Sequence, residues 1–281
     1  MKRKWLASLV IVLLCALALA PVLWTVLCSF LPEEVIEGHF AGLMNGSGTW
    51  SLPGPGDFGK LTFEQYSAVL LSGPDYLFRF WRSVLLVAPI VIFQILVAVP
   101  AAYGFSQTRN KILQKLFFLH VLLFMVPEQV TVIPAYLTAR QLKLDNTAWS
   151  IWLPGIFSGF SVYLLSRRMS RIPRDVLDAA RLDGAGELRL LTRIAIPLSR
   201  SEISVCAILL FMDCWNMVEF PVVMFSHPLD YPLSVCLARI QEGAVGISFA
   251  AAVIYLVPPV LVFLFGEEFL MGSFDHDNMI C

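Results

Sequence analysis

Long apolar runs separated by short polar segments dominate the pattern of this chain. A helix that crosses a bilayer needs roughly 20 apolar residues, and six runs of about that length are present. They predict transmembrane helices at about 1–31, 81–105, 116–137, 147–166, 203–225 and 247–266. The first run is far longer than the apolar core of a secretory signal, so we expect it to be retained as a span.

The segments between the runs predict the rest of the architecture. Residues 32–80 are acidic and rich in Gly and Pro, which indicates an extracytoplasmic loop with one short helix at 62–71 that Thr62 caps. Pro127 and Pro134 fall inside the third run and predict a kinked helix. The expected layout is a first span (1–31), the loop (32–80), a core of four spans (81–225) with a charged loop at 167–200, and a final part (226–281) with an external loop, the last span and a tail.

Composition agrees with a membrane protein. Hydrophobic residues make up 58% and charged residues 15% of the chain, whereas soluble domains carry about 25% charge. Fourteen of the 20 Lys and Arg residues lie in 2–4, 109–115 and 167–200, and positive charge favours the cytoplasmic side. We therefore expect an all-α, multi-pass protein of the cell membrane with both termini and the loop 167–200 in the cytoplasm. The six cysteines show no C-x-x-C spacing and predict neither disulfides nor a metal site.

The charged loop has the features of a helix pair. Pro173 suits the first turn of a helix, and Asp178 and Arg181 are three residues apart, on one face. Gly184 is suited to end that helix, and a second helical piece is expected from Glu187 to Ala195, ending before Pro197. A solvated basic connector would explain the charge alone. It would not require the small residues at the turn, which allow the backbone of a partner to approach closely.

Three short motifs in this loop resemble the EAA loop of ATP-binding-cassette importer permeases: Asp178-Ala179-Ala180, Asp183-Gly184-Ala185 and Ile196-Pro197-Leu198. The resemblance to the carbohydrate branch, which is related to the maltose-importer membrane subunits, extends over further segments. These are LTFEQY (61–66), PAAYGFSQTR (100–109), MVPEQVTVIPAY (125–136), LDNTAWSIWLP (144–154) and WNMVEFP (215–221). Four features depart from the family pattern: Asp178 in place of Glu, Arg82 before Ser83, Ser201 in place of Pro, and an acidic tail.

The resemblance implies a type I importer permease fold and a set of partners. A dimer of cytoplasmic ATPase subunits would dock on Asp178, Ala179, Ala180, Asp183, Gly184, Ala185 and Pro197. A second, homologous permease and an extracytoplasmic solute-binding protein would complete an importer of a sugar or sugar-like solute. The chain has no G-x-x-x-x-G-K-[ST] motif, so ATP would be used by the partner. We expect contact with membrane lipid, no nucleic acid, no metal or cofactor, and no enzymatic activity of the chain itself.

Polar residues within the predicted spans are candidates for the solute pathway, because a polar group in lipid is costly. The candidates are Gln94, Gln129, Asp213, Trp215, Asn216 and Glu219, with the fifth span favoured. Each also has a purely structural explanation: an interhelical hydrogen bond, or for Trp215 an anchor at the membrane interface.

Two other classes of protein are less consistent with the sequence. A secondary transporter that works without an ATPase would show internal repeats, and it would not need the docking loop. An intramembrane enzyme would need a catalytic grouping, whereas the four histidines are scattered and form no H-E-x-x-H.

Overall fold

The computed structural model describes residues 2–44, 50–54, 56–71, 74–238 and 245–278, and all regular structure in these ranges is helical. Within these ranges, three helices contain a segment long and apolar enough to cross a membrane: α1 (Lys2–Cys28), α4 (Pro74–Gln107) and α15 (Val245–Asn278). Helix α4 begins at Pro74, seven residues before the predicted start at Trp81. A proline is tolerated there because the N–H groups of the first helical turn have no partner within the helix. Residues 239–244 of the second predicted external loop and the end of the tail, 279–281, lie outside the described ranges.

Two further candidate spans in the described ranges are bent pairs of helices. Helices α5 (Lys111–Phe124) and α6 (Glu128–Gln141) meet at 102°, and the segment Glu187–Leu198 meets α12 (Arg200–Trp215) at 76°. Counting each pair as one span gives five candidates by length and composition. The residues predicted for the fourth span form two short helices instead, α7 (Trp149–Ile156) and α8 (Gly159–Met169).

The predicted kink in the third span is confirmed, and only one of its two prolines is at the bend. Pro127 adopts extended backbone, φ −57° and ψ 139°, immediately before α6. A proline disfavours helical geometry at the preceding residue, so α5 ends at Phe124. Pro134 stays inside α6, where the Thr138 hydroxyl donates a 2.9 Å bond to its carbonyl.

The predicted fifth span is also interrupted. Helix α12 ends at Trp215, and a short helix, α13 (Glu219–Met224), follows after a break. The Asn216 side-chain amide donates a 2.8 Å bond to the carbonyl of Met212. The same carbonyl also accepts the backbone N–H of Asn216 at 3.3 Å, so Asn216 closes the end of α12 with both its backbone and its side chain.

The chain divides into two compact units, of which the first comprises 1–80 and 236–257. The predicted helix at 62–71 is α3 (Glu64–Leu71), and the Thr62 hydroxyl accepts a 3.1 Å bond from the N–H of Glu64. The sequence did not predict a second helix in this region, α2 (Glu33–Met44). Glu33 and Glu34 lie in its first turn, where negative charge stabilises a helix.

Glu33 also contacts the start of α15. Both of its carboxylate oxygens accept the Gly246 N–H at 3.0 Å. The backbone of Gly246 is closely covered, because a Cβ there would lie 2.5 Å from Glu33 Oε2 and 2.8 Å from Gln65 Nε2. A side chain at position 246 would therefore displace the Glu33 carboxylate that accepts the Gly246 N–H.

A hydrogen-bonded group of polar side chains organises residues 50–54 and 56–60. The His39 ring contacts Ser51 Oγ at 2.6 Å and Asp57 Oδ2 at 3.1 Å, and the same carboxylate accepts the Gly54 N–H at 2.7 Å. The pKa of Asp57 lies below its usual value, chiefly because of the Gly54 hydrogen bond and next because of His39. The charged form of Asp57 therefore holds this turn.

The second unit comprises 81–235 and 258–281. A core of buried residues in this unit packs α4 against α8, the charged loop and α12. The buried residues of this core are Ala98, Val99, Ala102, Tyr103, Val162, Leu165, Met169, Ile172, Leu177, Leu190, Ala195 and Cys206. Away from this core, Arg82 Nη2 lies 2.7 Å from Asp230 Oδ1, and Ser83 Oγ accepts the Leu233 N–H at 2.8 Å at the start of α14 (Leu233–Leu237). These bonds hold α4 to the connection that precedes α14.

Candidate functional site

The charged loop forms the predicted helix–glycine–helix structure. Helix α9 (Arg174–Leu182) is followed by Asp183 and by Gly184, whose φ is +84°. The Ala185 N–H donates to the Ala180 carbonyl and the Gly184 N–H to the Arg181 carbonyl, each at 3.0 Å. These two bonds define a Schellman motif, in which a residue with positive φ closes the end of a helix. Glycine is the residue that adopts this φ without a steric penalty.

The second helical part of the loop differs from the prediction at Pro197. Helix α10 (Glu187–Leu190) continues through a π turn (Leu191–Ala195) into α11 (Ile196–Leu198). The Ile196 N–H donates to the Leu191 carbonyl, a bond over five residues. A proline normally clashes with the carbonyl four residues earlier. The wider π turn relieves that clash, so the helical path passes through Pro197 and ends at Ser199.

Two leucines attach the loop to the membrane helices. Leu177 of α9 and Leu190 of α10 are each 0% exposed. They belong to the core that contains Ala98 and Ala102 of α4 and Met169 of α8. Movement of the loop is therefore mechanically connected to the ends of these helices.

Two other leucines point away from this core. Leu182 is 90% exposed and Leu188 is 75% exposed, one on each side of the Gly184 turn. Both leucines lie close in sequence to the small residues of the turn, which leave room for another protein to approach. The sequence prediction missed both residues, although a leucine five positions after Leu177 on a helix indicates a different face.

The structure places the predicted docking residues on both sides of this turn. Asp178, Ala179, Asp183, Gly184 and Pro197 are exposed, whereas Ala180 and Ala185 are half-buried against the core. We call the exposed Leu182 and Leu188, with Ala179, Asp183 and Gly184, the docking surface, because the sequence predicts docking of a partner at this turn.

A network of charged and polar side chains spans the turn. Arg181 Nη1 lies 2.8 Å from Asp178 Oδ1, as the three-residue spacing predicts. Arg181 also donates to Glu187 Oε1, from Nε at 3.2 Å and from Nη2 at 3.1 Å. The pKa of Arg181 is raised, first by its bond to Asp178 and then by Glu187. The other oxygen of Glu187 accepts a 2.9 Å bond from the Tyr103 hydroxyl of α4.

The corner between the loop and α12 is held by a salt bridge. Arg168 at the end of α8 contacts Glu202 at 2.7 Å, with both side chains 18% exposed, and it donates to the Leu198 carbonyl at 3.2 Å. Arg168 thus joins α8 to both sides of the 76° bend. Sequence reasoning identified Arg168 only as one of the basic residues of the loop.

Four of the six pathway candidates lie on exposed surface around the two broken spans. Asp213, Asn216 and Glu219 are exposed at and beyond the end of α12. Gln129 of α6 is exposed and donates a 3.2 Å bond to Glu219 Oε1. Asp213 and Glu219 are also close enough to Glu128 for their charges to interact.

The other two candidates lie apart from this polar group. Gln94 is 0% exposed and donates a 3.1 Å bond to Ser161 Oγ of α8. Trp215 is 2% exposed and stacks on Phe211, with ring centroids 5.4 Å apart. Its ring borders an apolar cavity of about 380 Å³ between α4, α12 and α15. The structure therefore separates Trp215 from Asp213 and Asn216, its neighbours in sequence.

Curated proteins that resemble this chain are permeases of transport systems. It is 24% identical to the arabinooligosaccharides transport system permease protein AraQ of Halalkalibacterium halodurans, over 97% of each chain. It is 31% identical to the osmoprotective compounds uptake permease protein GgtD of Synechocystis sp., over 66% of this chain and 64% of that one. It is 25% identical to the sn-glycerol-3-phosphate transport system permease protein UgpE of Yersinia pestis, over 81% and 83%.

Solved structures share the fold. A chain of a bacterial ABC transporter involved in the import of the acidic polysaccharide alginate superposes with a TM-score of 0.78 at 18% identity, over 95% of this chain and 96% of that one. A chain from a bacterial alginate ABC transporter in complex with an alginate pentasaccharide-bound periplasmic protein superposes with a TM-score of 0.62 at 14% identity, over 94% and 93%.

The family comparison joins the membrane helices and the loop in one assignment. The family described as "Binding-protein-dependent transport system inner membrane component" matches residues 74–270, which include the helices and the charged loop. With its helix–glycine–helix loop and a type I importer permease fold, this multi-pass membrane chain belongs to that family and is a permease subunit of an ABC importer.

Proposed function

We propose that the chain is one of two homologous permease subunits in an importer driven by a dimer of cytoplasmic ATPase subunits. The observation that carries the proposal is that two leucines of the loop are buried and two others are exposed. Leu177 and Leu190 are 0% exposed in the core of membrane helices, whereas Leu182 and Leu188 are 90% and 75% exposed. A loop that is fixed to the helices on one side and apolar on the other is suited to receive force from a partner.

The distribution of positive charge supports the orientation of this chain. Residues 167–200 hold eight of the 20 Lys and Arg residues, which favours a cytoplasmic position. With that orientation, the chain begins with a first span (1–31), which leads to an extracytoplasmic loop (32–80). The core of further spans (81–225) follows, and the final part (226–281) contains the last span and returns the chain to the cytoplasm. Residues 32–80 lie on the side from which a solute-binding protein delivers its solute.

The exposed polar group formed by Gln129, Asp213, Asn216 and Glu219 is the proposed contribution of this subunit to the solute pathway. Carboxylates exposed at membrane depth are costly in contact with lipid. They are accommodated where they face a water-filled cavity or another protein. The second permease subunit provides that environment, and the pathway then runs between the two subunits. Gln94 and Trp215, which are buried, stabilise the helices around it.

The solute is proposed to be a sugar or a sugar-like compound. The relatives support this class, because their names specify arabinooligosaccharides and sn-glycerol-3-phosphate. One structural neighbour was solved with a periplasmic protein that carries an alginate pentasaccharide. The chain itself is proposed to hydrolyse no ATP, because it has no P-loop.

Charge placed on the docking surface tests the ATPase partner. Leu182→Asp and Leu188→Asp should each prevent retention of the ATPase by the permease in nanodiscs, since an apolar contact is replaced by a charge. Leu229→Asp is the matched control, because Leu229 is 57% exposed but lies outside the loop. Full retention of the ATPase by the Leu182 and Leu188 variants would show that the partner does not dock there.

The solute class is tested with the complete importer, including its solute-binding protein, in proteoliposomes. ATP hydrolysis is measured with a panel of mono- and oligosaccharides and polyols, and with a panel of amino acids and peptides. Stimulation by a member of the first panel supports the proposal. Stimulation only by the second panel, or by neither, rejects the sugar class. Uptake that persists without the ATPase indicates a secondary transporter.

A further inference from the structure

The polar network at the Gly184 turn continues into the membrane helix α4. Tyr103 lies in the last part of α4 and is 6% exposed, so its hydroxyl is held in one direction by the surrounding core. That hydroxyl donates a 2.9 Å bond to Glu187 Oε2, at the first residue of α10. A buried side chain of a membrane helix is thus bonded to the exposed part of the loop.

Glu187 uses its two oxygens for two different elements. Oε2 accepts from Tyr103, while Oε1 accepts from the Arg181 guanidinium at 3.1 and 3.2 Å. Arg181 belongs to α9, so the Arg181–Glu187 pair closes the turn at Gly184 from the outside. The guanidinium is a planar donor with a fixed geometry, and its third bond, to Asp178 at 2.8 Å, fixes it to α9.

We propose that Glu187 is a positioning residue, which sets the angle of the docking surface relative to α4 through its bonds to Tyr103 and Arg181. This inference rests on the proposed docking of the ATPase at the loop. Leu182 and Leu188 lie on opposite sides of the turn that Glu187 closes. A change in the angle between α9 and α10 therefore changes how far a push on the two leucines moves α4.

The effect concerns coupling rather than folding or assembly. Glu187 and Arg181 are 65% and 39% exposed, and exposed ion pairs add little to stability. Leu177 and Leu190 keep the loop attached when the network is broken, because both remain in the core. Breaking the network leaves the angle between α9 and α10 undefined. Part of the work of each ATP cycle then bends the turn at Gly184 instead of moving α4.

The test uses the complete importer in proteoliposomes, with Tyr103→Phe, Glu187→Ala and the double variant. Retention of the ATPase and the solute taken up per ATP hydrolysed are measured together. Retention should remain as in the wild type, and uptake per ATP should fall about two- to tenfold, the factor that corresponds to the net contribution of one typical hydrogen bond. The double variant should be no worse than Glu187→Ala, since both substitutions break one linkage.

Two substitutions serve as controls, and one as a rescue. Tyr163→Phe removes a hydroxyl from the neighbouring helix α8, and Asp175→Asn removes a charge from the first turn of α9; neither should change uptake per ATP. Glu187→Gln keeps an oxygen acceptor and should recover part of the loss. Normal uptake per ATP in Tyr103→Phe and Glu187→Ala, with the ATPase retained, overturns the positioning role alone. A double variant whose loss of uptake per ATP equals the sum of the two single losses also overturns the positioning role. Failure of the wild-type permease to retain the ATPase would instead overturn the proposed function.

Discussion

The turn at Gly184 gives a direct test of the loop, because the chain provides its own control two residues away. Gly184 has φ +84°, and no atom lies within 4 Å of a Cβ built on it. An alanine there meets no clash, so its whole cost comes from the left-handed backbone, about 1–2 kcal/mol. Gly186 also has space for a Cβ, but its φ is −74° and its ψ is 166°. Alanine at 186 should change the free energy of the loop by less than about 0.5 kcal/mol.

The measurement is the affinity of the ATPase for the permease in nanodiscs. A cost of 1–2 kcal/mol reduces the population of the folded turn relative to alternatives by roughly 5- to 30-fold. Gly184→Ala should weaken binding by up to that factor, while Gly186→Ala should bind as the wild type does. Gly184→Asn should lie between them, since asparagine tolerates positive φ better than alanine. Equal affinities of the two alanine variants would refute the argument that the Schellman turn shapes the docking surface.

The remaining predictions concern stability. Leu190→Ala should reduce the free energy of unfolding by about 2–5 kcal/mol and lower the melting temperature. Val176→Ala, at a site 44% exposed, should change the melting temperature little. Equal decreases in the two variants would show that Leu190 does not attach the loop to the core. Gly246→Ala should lower the melting temperature, because its Cβ displaces the Glu33 carboxylate that accepts the backbone N–H of residue 246. Gly38→Ala in α2 meets nothing within 4 Å and should stabilise by up to about 1 kcal/mol; a higher melting temperature for Gly246→Ala than for Gly38→Ala would contradict the importance of the Glu33 bond. The pKa of Asp57 is lower in the folded protein than in the unfolded chain. The stabilisation of the turn by charged Asp57 is therefore fully present above the unfolded pKa of about 3.9, and it is lost as the pH falls through the lower pKa of the folded state. Amide-exchange protection at 50–54 and 56–60 should decrease in that acidic range, and Asp57→Asn should abolish the pH dependence; an unchanged profile in this variant would exclude Asp57 as the cause.

The sequence alone was enough to predict the helical membrane architecture and the loop. Apolar length predicts spans because the bilayer has a fixed thickness. Both ends of α1 and the start of α15 lie near the predicted ones, whereas α15 continues to Asn278, past the predicted end of the span at 266. The Gly184 turn and the Asp178–Arg181 pair are local, since they depend on residues within one or two turns of a helix. For the same reason the position of the Pro127 break was predictable.

Tertiary structure decided the features that depend on residues far apart in the chain. The size of the bends, 102° and 76°, and the division of 147–166 into two helices depend on how neighbouring helices pack. The π turn carries the helical path through Pro197, against the local rule. The bond from Tyr103 to Glu187 joins residues 84 positions apart, and no periodicity indicates such a partner. Helical pattern shows which residues share a face of one helix, but only packing determines what that face contacts. The candidate pathway shows the same limit, because Trp215 and Asn216 are adjacent in sequence and only the fold buries one and exposes the other.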